Sequence, residues 1–490
     1  MSTTGPFQVK KVAIIGAGPT GLGTAKYLLA EHAFQVTVFE QRPTIGGVWN
    51  FTPETTPHSA LRVPLTDPDA PTEDPLWRGR DPVFPSPMYE GLETNIPHQI
   101  MRFSDHAFPA DSQLFPPMAA VLQYLHDYAA ELPADIFRLR TQVLDVALVP
   151  GSAADAWKVT FRTFTADGAA EVREEVYDAV AVASGHYNVP FVPDIPGLAA
   201  WSARHPGAVI HSKDYRRPAP FRGKKVIVVG NAASGLDIGT QITRTARLPV
   251  LVSERSASYL STGPDPAKLE LPEIVEFLTD ADGERAVRFK DGRVETHVDA
   301  VVFCTGYFYS YPFLRSLSPR VISDGNRVEH LYQHLFYIPH PTLTFIALPQ
   351  KVIPFPVSEA QAAAIGRVWS NRLPLPSAAA MAAWERAEVA SRGPAKGFHT
   401  LMFPLDADYL NGLAEWSAGA APRADGGGAG RRPPHWGPRE RWLREKFPTI
   451  KKAFLEKGAE RARVRTVEDL GFEFVRADRE MPGEHQQSVL

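Results

Sequence analysis

Apolar positions along this chain fall into short runs that end in glycine, alternating with stretches where apolar residues recur at helical spacing. Lys11–Ile15 is such a run, closed by Gly16, and predicts a buried parallel strand. Residues 21–30 predict the helix after it and Gln35–Phe39 a second strand, so a βαβ unit opens the chain. Residues 51–87 are rich in Pro, Thr and Asp without a clear period and read as a long surface excursion. Met118, Val121, Leu122, Leu125 and Ala129 keep helical spacing and predict a helix over 116–130. Strands are expected at 142–147 and 157–161, and a buried strand at 176–183 that runs into Ser184-Gly185-His186.

A second βαβ start lies at 224–230, with its helix over 234–243, its next strand at 250–252 and a late strand at 299–304. Helices are expected at 358–371, 377–391 and 439–457, and a glycine-rich basic loop at 424–432. Ala183-Ser184-Gly185 and Cys304-Thr305-Gly306 close two comparable strands and look like matched crossing points between domains. The expected fold is α/β with two Rossmann-like dinucleotide-binding domains, the second inserted in the first. Boundaries are expected at 1–195 for the first part of the first dinucleotide-binding domain, 196–310 for the second, and 311–490 for the rest of the first with a helical C-terminal region.

Composition narrows the function classes. A formal net charge of -3 lacks the basic excess of a nucleic-acid binder. One cysteine, Cys304, supplies neither a disulfide, a redox pair nor a zinc site, so no metal is expected and a disulfide reductase is excluded. No apolar run reaches the ~18 residues of a membrane span. The first residues have no signal-peptide layout and 483–490 are polar, so a cytoplasmic location is the expectation.

Gly16-Ala17-Gly18-Pro19-Thr20-Gly21 is G-x-G-x-x-G between a strand and a helix. Gly16 permits the tight turn, Gly18 lets backbone approach a pyrophosphate, and Gly21 lets helix and strand pack closely. The helix N-terminus, entered through Pro19 and Thr20, offers free N–H groups to phosphate. Glu40, followed by Gln41, ends the second strand where a carboxylate can accept hydrogen bonds from a ribose diol. Gly46-Gly47-Val48-Trp49 suits a second backbone approach to a bulky ligand, and equally a tight turn with a core tryptophan.

Gly230-Asn231-Ala232-Ala233-Ser234-Gly235 repeats the layout with Ala232 in the middle position. The next strand ends in Ser253-Glu254-Arg255-Ser256, where Ser253, Arg255 and Ser256 could bind a 2′-phosphate. NADPH is therefore expected there. Glu254 is discordant, and strand alternation predicts that it points away from its neighbours. Two nucleotide sites in one chain imply hydride transfer from a nicotinamide to a flavin.

These residues, with Tyr89 to Asn95, His211 to Arg216, Phe355 to Gln361 and Phe398 to Tyr409, resemble the flavin-containing monooxygenase family over nearly the whole chain. The Pro- and Ala-rich phrasing is similar to soluble fungal or actinobacterial members. The family pattern F-x-G-x-x-x-H-x-x-x-(Y or F) reads here as His205, Gly207, His211 and Tyr215, with His205 in place of the leading aromatic. The resemblance implies an NADPH- and FAD-dependent monooxygenase that forms a C4a-hydroperoxyflavin and passes one oxygen atom to a soft nitrogen or sulfur nucleophile. Its partners would be a small-molecule substrate and O2, with a homodimer left open. It implies that Asn95 is the catalytic residue over the flavin, that Tyr89 and Thr94 lie near the nicotinamide, and that Val143 touches the flavin adenine. It further implies that Ser184 and Gly185 line the FAD site, that Gln350 lies near the isoalloxazine, and that Asn231, Ser234 and Asp237 belong to the NADP site. His211 and Tyr215 would hold the NADP domain in place. Pro349 stands where bacterial members carry an acid. A Baeyer–Villiger oxygenation of ketones remains the alternative; type I enzymes end their motif in tryptophan where this chain has Tyr215. A non-catalytic binding protein on the same scaffold is a third reading. The stretches 51–87 and 374–437 are expected to build the substrate pocket.

Overall fold

Lys11–Ile15 is buried at every position but the first, and it is an inner strand of a seven-stranded sheet. Gln35–Phe39 pairs with it in parallel on one side, Ala179–Val182 on the other, and Leu343–Phe345 continues beyond. Burial on both faces suits such uninterrupted apolar strands. The computed structural model describes residues 6–55, 61–69, 71, 73–165, 168–256, 263, 265–278, 285–423, 426 and 430–475. The expected loop at 424–432 falls largely, and the tail 483–490 wholly, outside them.

A second, all-parallel sheet of five strands comes from residues that lie between Ala179–Val182 and Leu343–Phe345 in the chain. Its centre is Val226–Val229, flanked by Val250–Ser253 and Ala300–Phe303. The second unit is thus set inside the first, and each sheet has its own apolar packing on both faces. The linker motif is bonded within the second unit. His211 is fully buried, accepts the Lys213 N–H at Nδ1 (3.1 Å), and donates from Nε2 to Gly306 O (3.1 Å). Burial lowers its pKa to about 3, so the ring is neutral and carries its proton on Nε2. Tyr215 donates its buried hydroxyl to Gln241 (3.1 Å), and the substituted His205 packs its ring edge-on to Trp201 at 4.9 Å.

Several elements differ from the sequence reading. The strand expected at 176–183 is two strands, Ala170–Tyr177 at the edge of an antiparallel sheet and Ala179–Val182 in the parallel one. Asp178 separates them, its carboxylate accepting the N–H groups of Lys10 and Lys11 (2.8 Å each). The 51–87 excursion contains a small hairpin, Leu76–Arg78 with Asp81–Val83. The helix expected at 358–371 is Pro354–Trp369, starting earlier because prolines fit the first helical turn, and Leu405–Ala418 is a further helix. Among the described residues no helix is long and apolar enough to cross a membrane.

Candidate active site: two glycine turns and the segment beside them

The first turn is dictated by contacts that leave no room for side chains. Gly16 has φ +107°, donates its N–H to Phe39 O (2.7 Å), and a Cβ there would lie 2.6 Å from Ala183 O. A Cβ on Gly21 would lie 1.9 Å from Gly16 O. Gly18 is the N-cap of Pro19–Leu29 and makes no side-chain cap, so the first N–H groups of this helix are open to an anion. Gly47 (φ +57°) backs directly onto it: a Cβ on Gly47 would sit 2.8 Å from the Gly18 Cα. The Gly16–Gly21 and Gly46–Trp49 segments are therefore one cradle, also joined by Gly46 N–H to Ala17 O (2.9 Å). Trp49 leans partly buried on the adjoining core, and Val48 O accepts from Ser86 Oγ.

Glu40 completes this turn. Its buried carboxylate accepts the Ala17 N–H at Oε2 and the Arg42 N–H at Oε1, both at 2.9 Å. Gln41 accepts from the Gln142 amide at 3.3 Å. Ser184 and Gly185 are exposed at the strand end, with the Ser184 Cα 3.1 Å from a Cβ placed on Gly16; Thr20 Oγ1 is 3.5 Å from Ala183 O. Val143 lies in the strand Thr141–Leu148, buried in the same core as Phe39. Gln350 is placed by backbone bonds, donating to His399 O (2.8 Å) and accepting from Leu401 N–H (3.0 Å).

The second turn repeats the backbone of the first. Gly230 has φ +100°, donates to Ser253 O (2.9 Å), and a Cβ there would approach Cys304 O to 2.7 Å; one on Gly235 would come within 1.9 Å of Gly230 O. Ala232 caps the helix Ala233–Ile242 without a side-chain bond, and Ser234 stands in its first turn. The acid behaves differently from expectation. Glu254 faces the turn, its carboxylate accepting from the Asn231 amide, which also donates to Ser256 O (2.7 Å). Ser253 is the residue that turns away: its buried hydroxyl donates to Pro272 O (3.1 Å), so it is not offered to a phosphate. Alternation along the strand is kept, with the two roles exchanged. Arg255 and Ser256 are exposed, beside a shallow cavity of about 240 Å³ also lined by Glu254 and Glu270. Burial, and then Glu270, raise the Glu254 pKa.

The segment 89–95 runs from the second unit's helix toward the C-terminal helix Pro438–Glu456. Tyr89 donates its buried hydroxyl to Asp237 Oδ2 (2.6 Å), and Gly91 lies 3.7 Å, measured from a Cβ placed there, from the Gln241 amide. Burial raises the Asp237 pKa, and the Tyr89 hydrogen bond opposes that. Thr94 is buried and Asn95 exposed. Lys451 reaches from the C-terminal helix to donate to Thr94 O at 2.7 Å. The reading of 439–457 as simply a charged helix overlooks Lys451. Its place four residues after Phe447 and three before Phe454, both buried, was the available signal.

Two sheets with parallel centres, each with an open glycine turn at a helix N-terminus, define a chain built to hold two dinucleotides. It belongs to the flavin-binding monooxygenase-like family, whose model matches residues 75–263 and 273–419; an NAD(P)-binding Rossmann-like domain model matches 14–63. The flavin-containing monooxygenase FMO GS-OX2 of Arabidopsis thaliana is 34% identical over 426 residues, 84% of this chain and 86% of that protein. The flavin-containing monooxygenase iboF of Amanita muscaria (strain Koide BX008) is 29% identical over 486 residues, 86% of this chain and 90% of that one. Among solved structures, that of S-allyl-L-cysteine S-oxygenase from Allium sativum superposes with a TM-score of 0.75 at 29% identity, covering 95% of this chain and 97% of that one. The chain is a flavin monooxygenase, with FAD and a nicotinamide coenzyme as its cofactors.

Proposed function

We propose that this chain is an NADPH-dependent oxygenase that transfers one oxygen atom of O2 to a soft nucleophile of a small molecule, sulfur foremost. The observation that carries the reading is the pair of glycine turns, each closed against a strand end (Ala183 behind one, Cys304 behind the other) and each open at a helix N-terminus that suits a dinucleotide. Similarity to an S-oxygenase of S-allyl-L-cysteine over nearly the full length of both chains favours sulfur over a ketone carbonyl.

FAD fits the first turn. Its pyrophosphate would lie on Gly16, Gly18, Pro19, Thr20 and Gly21, and its ribose by Glu40 and Gln41, whose neighbouring backbone is already fixed. Gly47, Val48 and Trp49 would close over it, and Val143, Ser184, Gly185 and Gln350 would complete the pocket. NADPH fits the second turn, on Asn231 and Ser234, with Arg255 and Ser256 as donors to the 2′-phosphate. When bound and reduced by the coenzyme, the flavin supplies activation of O2. The chain's own residues orient, shield and keep protons away. Asn95, an exposed neutral amide, can hold an oxygen or a ribose by hydrogen bonds without giving up a proton. Tyr89 and Thr94 set its segment, and their polar groups are bonded within the protein.

The test is oxygen transfer itself. Purified protein with FAD, NADPH, a dialkyl thioether and isotopically labelled O2 should give a singly labelled sulfoxide. A cyclic ketone in its place should give little lactone; lactone as the main product would assign the chain to ketone oxygenation. No product from thioether, tertiary amine or ketone, with no consumption of NADPH, would leave only a binding role.

A further inference from the structure

Lys451 lies in a charged stretch of the C-terminal helix, yet its ammonium turns inward. It sits over the rings of Phe115 (4.6 Å) and Phe454 (5.0 Å) while donating to Thr94 O (2.7 Å). Thr94 is thereby held at three polar groups, since its N–H donates to Pro116 O (3.0 Å) and its Oγ1 to Ile96 O (2.9 Å). Asn95 follows directly and is exposed. The charged groups that face Lys451 come from three other segments. Glu93 precedes Thr94 and is paired to Arg461 Nε (3.0 Å), and Asp237 lies on the second unit's helix and accepts from Tyr89. Glu93 and Asp237 favour the ammonium, and Arg461 opposes it. One lysine thus touches the backbone before Asn95 and feels the helix that begins at the second glycine turn.

We propose that Lys451 is a positioning residue that holds the Thr94–Asn95 turn in register with the second dinucleotide unit, so that Asn95 stays over the site of oxygen activation while coenzyme is bound. This rests on the role given to Asn95 above. Without the ammonium, a buried carbonyl loses its donor and the turn gains alternatives. The helix Ala233–Ile242 also loses a charge link to it, through Asp237. Burial lowers the Lys451 pKa to about 8, so the brace weakens as pH rises through that value. An arginine at 451 would keep its charge over the same range.

The experiment compares wild type, Lys451→Met, Lys451→Arg, Asn95→Ala and, as a control on the same helix, Lys452→Met, which alters an exposed side chain. Hydrogen exchange of ligand-free protein should show faster exchange at the amides of 94–96 in Lys451→Met and no change in Lys452→Met. With FAD, NADPH and thioether, Lys451→Met and Asn95→Ala should both release several-fold more hydrogen peroxide per NADPH. Flavin content and the rate of flavin reduction should stay near wild type in Lys451→Met, and Lys451→Arg should recover most of the coupling. Wild-type peroxide release should climb from one pH unit below about 8 to one above, and stay flat in Lys451→Arg. Wild-type coupling in Lys451→Met beside a leaking Asn95→Ala overturns the role of Lys451. A fully coupled Asn95→Ala overturns the Asn95 reading, and this proposal with it. Should Lys451→Met fail to fold, the pH profiles decide, and a flat wild-type profile refutes the brace.

Discussion

The two glycine turns share a backbone and differ in what their acids do. In each, the first glycine donates to the end of the neighbouring strand and the last leaves no space for a methyl group against the first. Glu40 is buried and takes two main-chain N–H groups, so the turn is fixed before any ligand arrives. Glu254, one residue past the corresponding strand, is only partly buried and takes a side-chain amide, that of Asn231, which can rotate away. A carboxylate locked to backbone suits a cofactor that stays; one held by another side chain suits a coenzyme that comes and goes. On the proposed assignment the first acid's ordering cost would be met during folding, and part of the second's at each binding event.

The largest test of that contrast is to fill each turn. Gly21→Ala should cost several kcal/mol locally, since a methyl group 1.9 Å from a carbonyl oxygen forces backbone apart, and the protein should purify without flavin. Gly235→Ala meets the same clash in the second unit and should leave a flavin-loaded protein that NADPH no longer reduces. Loss of flavin from both variants alike would erase the division of labour. Next in size is Glu40→Gln. Losing two charge-assisted bonds to backbone should weaken flavin binding by about 2 kcal/mol, roughly 30-fold, read by equilibrium titration of apoprotein.

Effects at the second turn should be smaller. Arg255→Ala should raise the KM for NADPH about tenfold, some 1.4 kcal/mol, and leave that for NADH unchanged. Equal loss with both coenzymes would place the 2′-phosphate elsewhere. Glu254→Gln removes a carboxylate beside that donor and should lower the KM for NADPH by only a few-fold. The remaining handle is pH. His211 is bonded inside the second unit as a neutral ring whose pKa is lowered to about 3. In the unfolded chain it binds a proton below about pH 6.5 that the folded chain refuses. Stability should therefore fall with acidity across that window, by about 1.4 kcal/mol per pH unit from this residue. Denaturant titrations of wild type and His211→Gln should differ in that slope, and equal slopes would remove His211 from it.

How much was legible in the sequence follows from the same physics. Both βαβ starts could be read because parallel strands buried on two faces leave short apolar runs, and because the glycines are enforced by backbone contacts that admit nothing larger. The segment at 176–183 was misjudged because Asp178, polar but short, caps backbone between two strands and does not interrupt the apolar run by much. Leu405–Ala418 carries Asn411-Gly412, a turn signal, in mid-helix, and burial of Asn411 against Trp436 overrides it. Glu254 could not be placed because alternation fixes relative and not absolute direction; Ser253 inward toward Pro272 decides it. Lys451 was hidden by its charge, although its spacing from Phe447 and Phe454 marked the buried face.

The claim everything else leans on is that coenzyme at the second turn delivers a hydride to flavin at the first. Flavin-loaded protein mixed with NADPH in the absence of O2 should lose its yellow colour in a single fast phase, and with NADH far more slowly. Colour that persists with both coenzymes, in protein shown to bind them, would contradict the account.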